Sequence, residues 1–178
     1  MTEPVDQQAF RGALGRFASG VTVVTTVLDG VDHAMTASAF TSVSLDPPQV
    51  LVCSHRTSRF HEAVLESGIW GVSILSDRGR AASARFAHKG RPLEGQLDRV
   101  PHHRGALDVP LLDASLAWLE CRTIGAHDGG THTILVGEVT WSAVQDDDDD
   151  PLLYYRSHYG TIVRSPESEK TLYESGDV

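Results

Sequence analysis

Apolar and polar positions along the chain read as six or seven short strands with two or three helices between them. Residues 6–19 carry Phe10, Ala13, Leu14 and Phe17 at helical spacing, and Gly20 is placed to end a helix. Residues 21–28, VTVVTTVL, are dense in β-branched side chains and predict a strand. Asp29-Gly30 is a hairpin signal, after which residues 33–45 predict a second extended segment, broken by Asp46-Pro47-Pro48. A short buried strand follows at 49–53. Thr57 or Ser58 can then cap a helix carrying Phe60, Val64 and Leu65 and closed by Gly68. Residues 70–75 predict another strand, and Ser76 or Asp77 a further helix toward Phe86, ended by Gly90.

Residues 91–110 show no period and hold three prolines, which predicts a long surface excursion of the kind that covers a site. Two strand-like runs, 116–126 and 133–144, are joined through HDGGTH, where the glycine pair favours a hairpin. The tail after Arg164 is polar and expected to fray. Hairpins outnumber strand–helix alternations, so the pattern favours an antiparallel barrel with helical decoration over a doubly wound sheet. No G-x-G-x-x-G follows any strand, so no dinucleotide-binding Rossmann unit is signalled.

The 178 residues fit one domain with its own core. No apolar run approaches the roughly 18 residues that span a bilayer. The first ten residues lack the basic flank and apolar stretch of a secretory signal, so a cytoplasmic protein is expected, away from membranes. There the two cysteines, Cys53 and Cys121, are expected as buried thiols.

A formal net charge of −9 argues against a nucleic-acid partner. Positive charge is nevertheless local: Arg56, Arg59, Arg78, Arg80, Arg85, Lys89 and Arg91 crowd one stretch, which suits either an anion site or solvated helix faces. The scattered histidines and the run 146–150 match no zinc or EF-hand spacing, so no metal is expected.

The most informative block is MTASAFTSVSLDPP, residues 35–48. Strands usually carry bulky side chains, whereas these are small and hydroxylic. Such a strand either leaves a slot for a flat ligand or packs tightly under a helix with its hydroxyls bonded locally. Thr57 and Ser58 fit plain capping and equally an anion site at a helix start, beside Arg56.

GVTVVTT, then a turn, then MTASAFTSVSLDPPQVLVC resembles the flavin reductase family, the reductase components of two-component flavin-dependent monooxygenases and their relatives. RTSRF, RFAHKG, GTHTILVGEV and PLLYYRSHYG extend the resemblance over roughly residues 8–162. It implies a mainly β fold, a split β-barrel of the FMN-binding type with Greek-key connections, used as a homodimer. It also implies reduction of FMN or FAD by NADH or NADPH, with reduced flavin passing to a monooxygenase by diffusion. The alternative is a flavin-binding or electron-transfer protein of the same barrel that does not turn over nicotinamide.

By the same resemblance, Thr36, Ala37, Ser38 and Ala39 line the isoalloxazine and ribityl chain, with Ser42 nearby. Cys53, Ser54, Arg56, Thr57 and Ser58 match the stretch that holds ribityl and phosphate, although Cys53 itself reads as a core thiol rather than a reactive one. Phe86 is expected as core or as a wall of the site, and Lys89 as a phosphate contact or a solvated lysine. His132 matches the histidine on the nicotinamide side. The family usually shows Gly-Asp-His there, and Thr131 replaces the acid. Its expected duty is positioning rather than acid–base catalysis. Tyr155 is expected to reach the cofactor from a neighbouring subunit or to lie buried at the interface.

Overall fold

The computed structural model describes residues 4–146 and 148–163; the polar tail lies outside the described residues. Helix α1 (Gln7–Leu14) is capped by the Asp6 carboxylate, which accepts from the Ala9 N–H at 3.0 Å. It is shorter than the periodicity suggested. The chain turns at Gly15, and Ser19–Gly20 becomes a short strand, β1, paired with Leu153 and Tyr154.

Strands β2 (Thr22–Leu28) and β3 (Val31–Ala37) form the expected hairpin. Asp29 and Gly30 both take positive φ, as a type I′ turn requires. The second extended segment is two strands: β3 ends at Ala37, and β4 (Phe40–Leu45) starts after Ser38-Ala39. β4 pairs with β5 (Pro48–His55), which leads into α2 (Arg59–Ser67) and β6 (Ile69–Leu75). A 3₁₀ turn at Asp77–Gly79 precedes α3 (Arg80–Ala87). That helix stops at His88, before Gly90.

The excursion after Arg91 is pinned down. It holds a small pair, β7 (His102–Arg104) and β8 (Pro110–Leu112), and buries Gln96, Leu97 and Val109. The buried Glu120 carboxylate fastens it by accepting from the N–H groups of Ala106 and Leu107 at 2.8 and 2.7 Å. The long hairpin β9 (Ser115–Gly129) and β10 (His132–Val144) follows, then the small pair β11 (Leu153–Tyr155) and β12 (His158–Gly160).

The main sheet is antiparallel in the order β3-β2-β6-β9-β10-β5-β4. Its edge strands are β3 and β4, which two residues join. Laid flat, seven strands would hold their edges roughly 29 Å apart, whereas that connection spans at most roughly 10 Å. The sheet is therefore rolled up, with β3 lying against β5. The small Ser38 and Ala39 make this bend, and the Ala39 carbonyl accepts from the Cys53 N–H at 3.0 Å. The β5–α2–β6 connection passes over β10 and β9, a Greek-key crossing.

Inside the roll lie Val24, Val52, Trp70, Val72, Cys121 and Leu135, and α2 closes one end with Phe60, Ala63 and Val64. Gly137 lets β10 pass under Trp70: a Cβ there would stand 2.5 Å from the indole Cζ2. Cys121 is fully buried beside them, and burial pushes its thiol up to about 12, with Glu120 adding to the shift. No helix is long and apolar enough to cross a membrane among the described residues.

Candidate functional site

β3, the start of α2 and the end of α3 enclose a cleft of about 500 Å³. Its cations are Arg59, Lys89 and Arg91, its histidines are His33, His55 and His88, and no carboxylate lines it among the described residues. Phe60, Phe86, Met35 and Leu93 supply apolar wall, and Gln96 reaches in from the excursion.

Local structure places each group. Ser58 caps α2: its Oγ accepts from the His61 N–H at 3.2 Å and lies 3.3 Å from the Ser54 hydroxyl. The first N–H groups of a helix lack partners within it, so this end of α2 is suited to an anion. Arg91 spreads its guanidinium over the carbonyls of Phe86, His88 and Ala34 and over Gln96 Oε1. Arg59 donates to the Arg91 carbonyl at 2.7 Å. Burial lowers the Arg91 pKa, and neighbouring Arg59 and Arg85 lower it further. An anion in the cleft would relieve that repulsion.

His33 is 8% exposed, with its Nδ1 buried and unpartnered. Burial holds its pKa below 6.5, against a hydrogen bond with the Arg59 backbone that raises it. Just below pH 6.5 the unfolded chain binds the proton that folded His33 refuses, so stability falls as pH drops. Melting temperatures measured from about pH 8 to about pH 5 are expected to decline on the acid side. The decline should be smaller in His33→Asn; equal slopes in both proteins would contradict it.

His132 opens β10, opposite His55 in the register. The two rings meet edge to face at 4.9 Å, and the Thr131 hydroxyl lies 2.9 Å from His132 Nδ1. Burial, and then His55, hold the His132 pKa below 6.5, so the ring is neutral at pH 7.

Of the residues singled out from the sequence, Thr36, Thr57, Ser58, Phe86 and Lys89 line the cleft. The Thr36 hydroxyl donates to the Ser83 carbonyl of α3 at 2.7 Å. Ala37 faces the barrel core, Ser54 is buried and Cys53 half-buried. Ser38, Ala39, Ser42 and Tyr155 are exposed outside the cleft. Arg56 turns away to Asp128, at 2.7 Å. Arg59 and Arg91, named above within the basic crowding, line it too. His33, Ala34, His55 and Gln96 lay outside those expectations; the available signal was alternation backward along β3 from Thr36.

Residues 14–163 match the flavin reductase like domain. The chain belongs to that family. This flavin reductase is 37% identical over 172 residues to the flavin-dependent monooxygenase reductase subunit HsaB of Mycobacterium tuberculosis, covering 96% of this chain and 88% of the relative. It is 40% identical over 159 residues to the FMN reductase (NADH) SmoA of Agrobacterium fabrum, covering 89% and 88%. Its fold is similar to the nitrilotriacetate monooxygenase component B homologue of Mycobacterium thermoresistibile (TM-score 0.86, 34% identity, 99% of this chain and 96% of that one). It is also similar to BorF, the flavin reductase component of a bacterial two-component tryptophan halogenase (TM-score 0.83, 40% identity, 90% and 100%).

Proposed function

We propose that this flavin reductase holds the phosphate of FMN or FAD at the start of α2, accepts NADH or NADPH beside His132, and passes reduced flavin to a partner monooxygenase. The observation that carries the phosphate assignment is the cleft itself. On a chain of net charge −9, it gathers Arg59, Lys89 and Arg91 around a helix start with no carboxylate among the described lining residues. The unpartnered His33 nitrogen and the crowded arginines fit a polar, anionic cofactor there.

Bound flavin supplies the chemistry, accepting a hydride from the reduced nicotinamide. The chain's residues have to bind, orient and exclude. Ser58 and the amides of α2 hold the anion, Lys89 and Arg59 neutralise it, and Phe86 gives an apolar wall. Neutral His132 positions the nicotinamide without moving a proton.

Lys89→Ala is expected to raise the flavin dissociation constant about tenfold, the scale of one charged contact. Nicotinamide KM should change little. His132→Ala should do the reverse, raising nicotinamide KM several-fold with a moderate fall in turnover. Flavin titration and steady-state kinetics with each nicotinamide decide it. Unchanged flavin affinity in both Lys89→Ala and Ser58→Ala would refute the phosphate seat, and a protein that binds flavin but oxidises no nicotinamide would refute the reductase.

The working unit is a homodimer. No residue of α1 is buried; it exposes Phe10 at 58% and Leu14 at 53%, and Phe17, just past its end, is 75% exposed. β4 adds exposed Val43 and Leu45, beside the exposed Ser42. A second copy covering these faces would bring Ser38, Ala39, Ser42 and Tyr155 to a shared boundary. Phe17→Asp should shift the mass in light scattering from two chains to one; a wild-type protein already monomeric at micromolar concentration would exclude the dimer. Two free thiols and the use of reduced nicotinamide support a cytoplasmic setting.

A further inference from the structure

We propose that His55 is a positioning residue for both cofactors, with its ring fixing the His132 imidazole and its Nδ1 fixing the entrance to α2. The proposal rests on the reading above, in which the start of α2 seats phosphate and His132 faces the nicotinamide. His55 ends β5 directly across from His132. Their rings lie 4.9 Å apart with planes at 76°, the geometry in which one aromatic edge meets another's face.

Two residues on, the Thr57 backbone N–H donates to His55 Nδ1 at 3.2 Å, and the Thr57 hydroxyl lies 2.9 Å from the same nitrogen. A backbone N–H needs a lone pair to accept it. The proton of neutral His55 therefore sits on Nε2, and the ring cannot turn over without breaking that contact. The His55 carbonyl also accepts from the Ser58 N–H at 2.9 Å. The turn from β5 into α2 is thus closed by the main chain and by the ring together.

His55 lines the cleft, so the ring that orients His132 is itself part of the wall. Other contacts hold the hairpin's backbone: the Arg56 N–H donates to the Thr131 carbonyl at 3.1 Å, and the Arg56 guanidinium pairs with Asp128. His55 and the Thr131 hydroxyl instead meet the imidazole. One side chain therefore sets both the wall facing the nicotinamide and the residues proposed to hold flavin phosphate.

Two variants separate these duties. His55→Phe keeps an aromatic ring against His132 and removes the nitrogen that captures Thr57. His55→Asn offers an acceptor oxygen close to the place of Nδ1 and removes the ring. The dissociation constant of FMN and the KM and kcat for NADH are measured in both. His55→Phe is expected to weaken FMN about fivefold, leaving NADH KM within about twofold. His55→Asn is expected to raise NADH KM about fivefold, leaving FMN affinity within about twofold. Equal effects of the two variants on both constants, or no effect of either, would overturn the proposal. If one variant fails to fold, the other still decides, because each predicts a change in one constant and constancy in the other. Lys89→Ala and His132→Ala belong in the same series. If those two behave as expected and the His55 pair does not, only the role of His55 fails; if those two leave both constants unchanged, the site assignment fails and takes this one with it.

Discussion

Arg91→Ala is expected to abolish measurable flavin binding and to destabilise the fold by about 3 kcal/mol. The guanidinium ties three parts of the chain together: α3 through the Phe86 and His88 carbonyls, β3 through Ala34, and the excursion through Gln96. Its own carbonyl takes the Arg59 side chain, and it lies 5.3 Å over the Phe86 ring. Bonds from a cation are worth about 1.5–3 kcal/mol apiece when taken singly. These share one half-buried group next to two like charges, so the total is well short of their sum. The last turn of α3 also loses the cation that satisfies its carbonyls. Without that tie the cleft wall is free to open, and affinity should fall further than stability alone would suggest. Arg91→Lys keeps the charge but cannot fork to several acceptors, so it should be intermediate. Thermal melting and FMN titration of the three proteins test this, and wild-type values for Arg91→Ala would sink it.

Gly137→Ala is the second large effect. The added methyl would stand 2.5 Å from Trp70 Cζ2, 2.9 Å from Cε2 and 3.0 Å from the Cys121 Cβ. Both neighbours are fully buried and neither has a free end to swing aside. Overpacking of this kind costs about 3 kcal/mol. For a domain of this size that lowers the melting temperature by roughly 6–12 °C. Flavin affinity measured well below the transition should hardly change, because the clash sits inside the barrel rather than in the cleft. A melting temperature within about 2 °C of wild type would contradict the packing argument.

What could be read in advance was local. β2 announced itself by its β-branched run, and the two longest hairpins by Asp29-Gly30 and by the glycines before His132. Gly68 as the end of α2 was equally plain, and its start was narrowed to Thr57 or Ser58, of which Ser58 is the cap. The break at Ser38-Ala39 was hidden because it comes from the rolling of the whole sheet. β7 and β8 are too short to show a period, and their pairing depends on a loop closed by Glu120. The end of α1 was overrun because Phe17 continued the helical spacing while exposed on a face that none of the described residues covers.

The site divided the same way. The capping residues and the basic crowding pointed to Thr57, Ser58 and Lys89. The crowding also took in Arg91, whereas His33 and Gln96 join the cleft only because β3, α3 and the excursion meet there. Arg56 sits next to the cap in sequence, yet its side chain leaves the turn on the hairpin side and meets Asp128.

The buried sulfur beneath Trp70 has a consequence for longevity. An enzyme that manufactures reduced flavin in air works next to peroxide whenever that product meets oxygen. Peroxide attacks the thiolate. Burial pushes the Cys121 thiol up to about 12, which disfavours that form at neutral pH. The centre of the barrel is thereby spared the oxidative wear that its own catalysis generates.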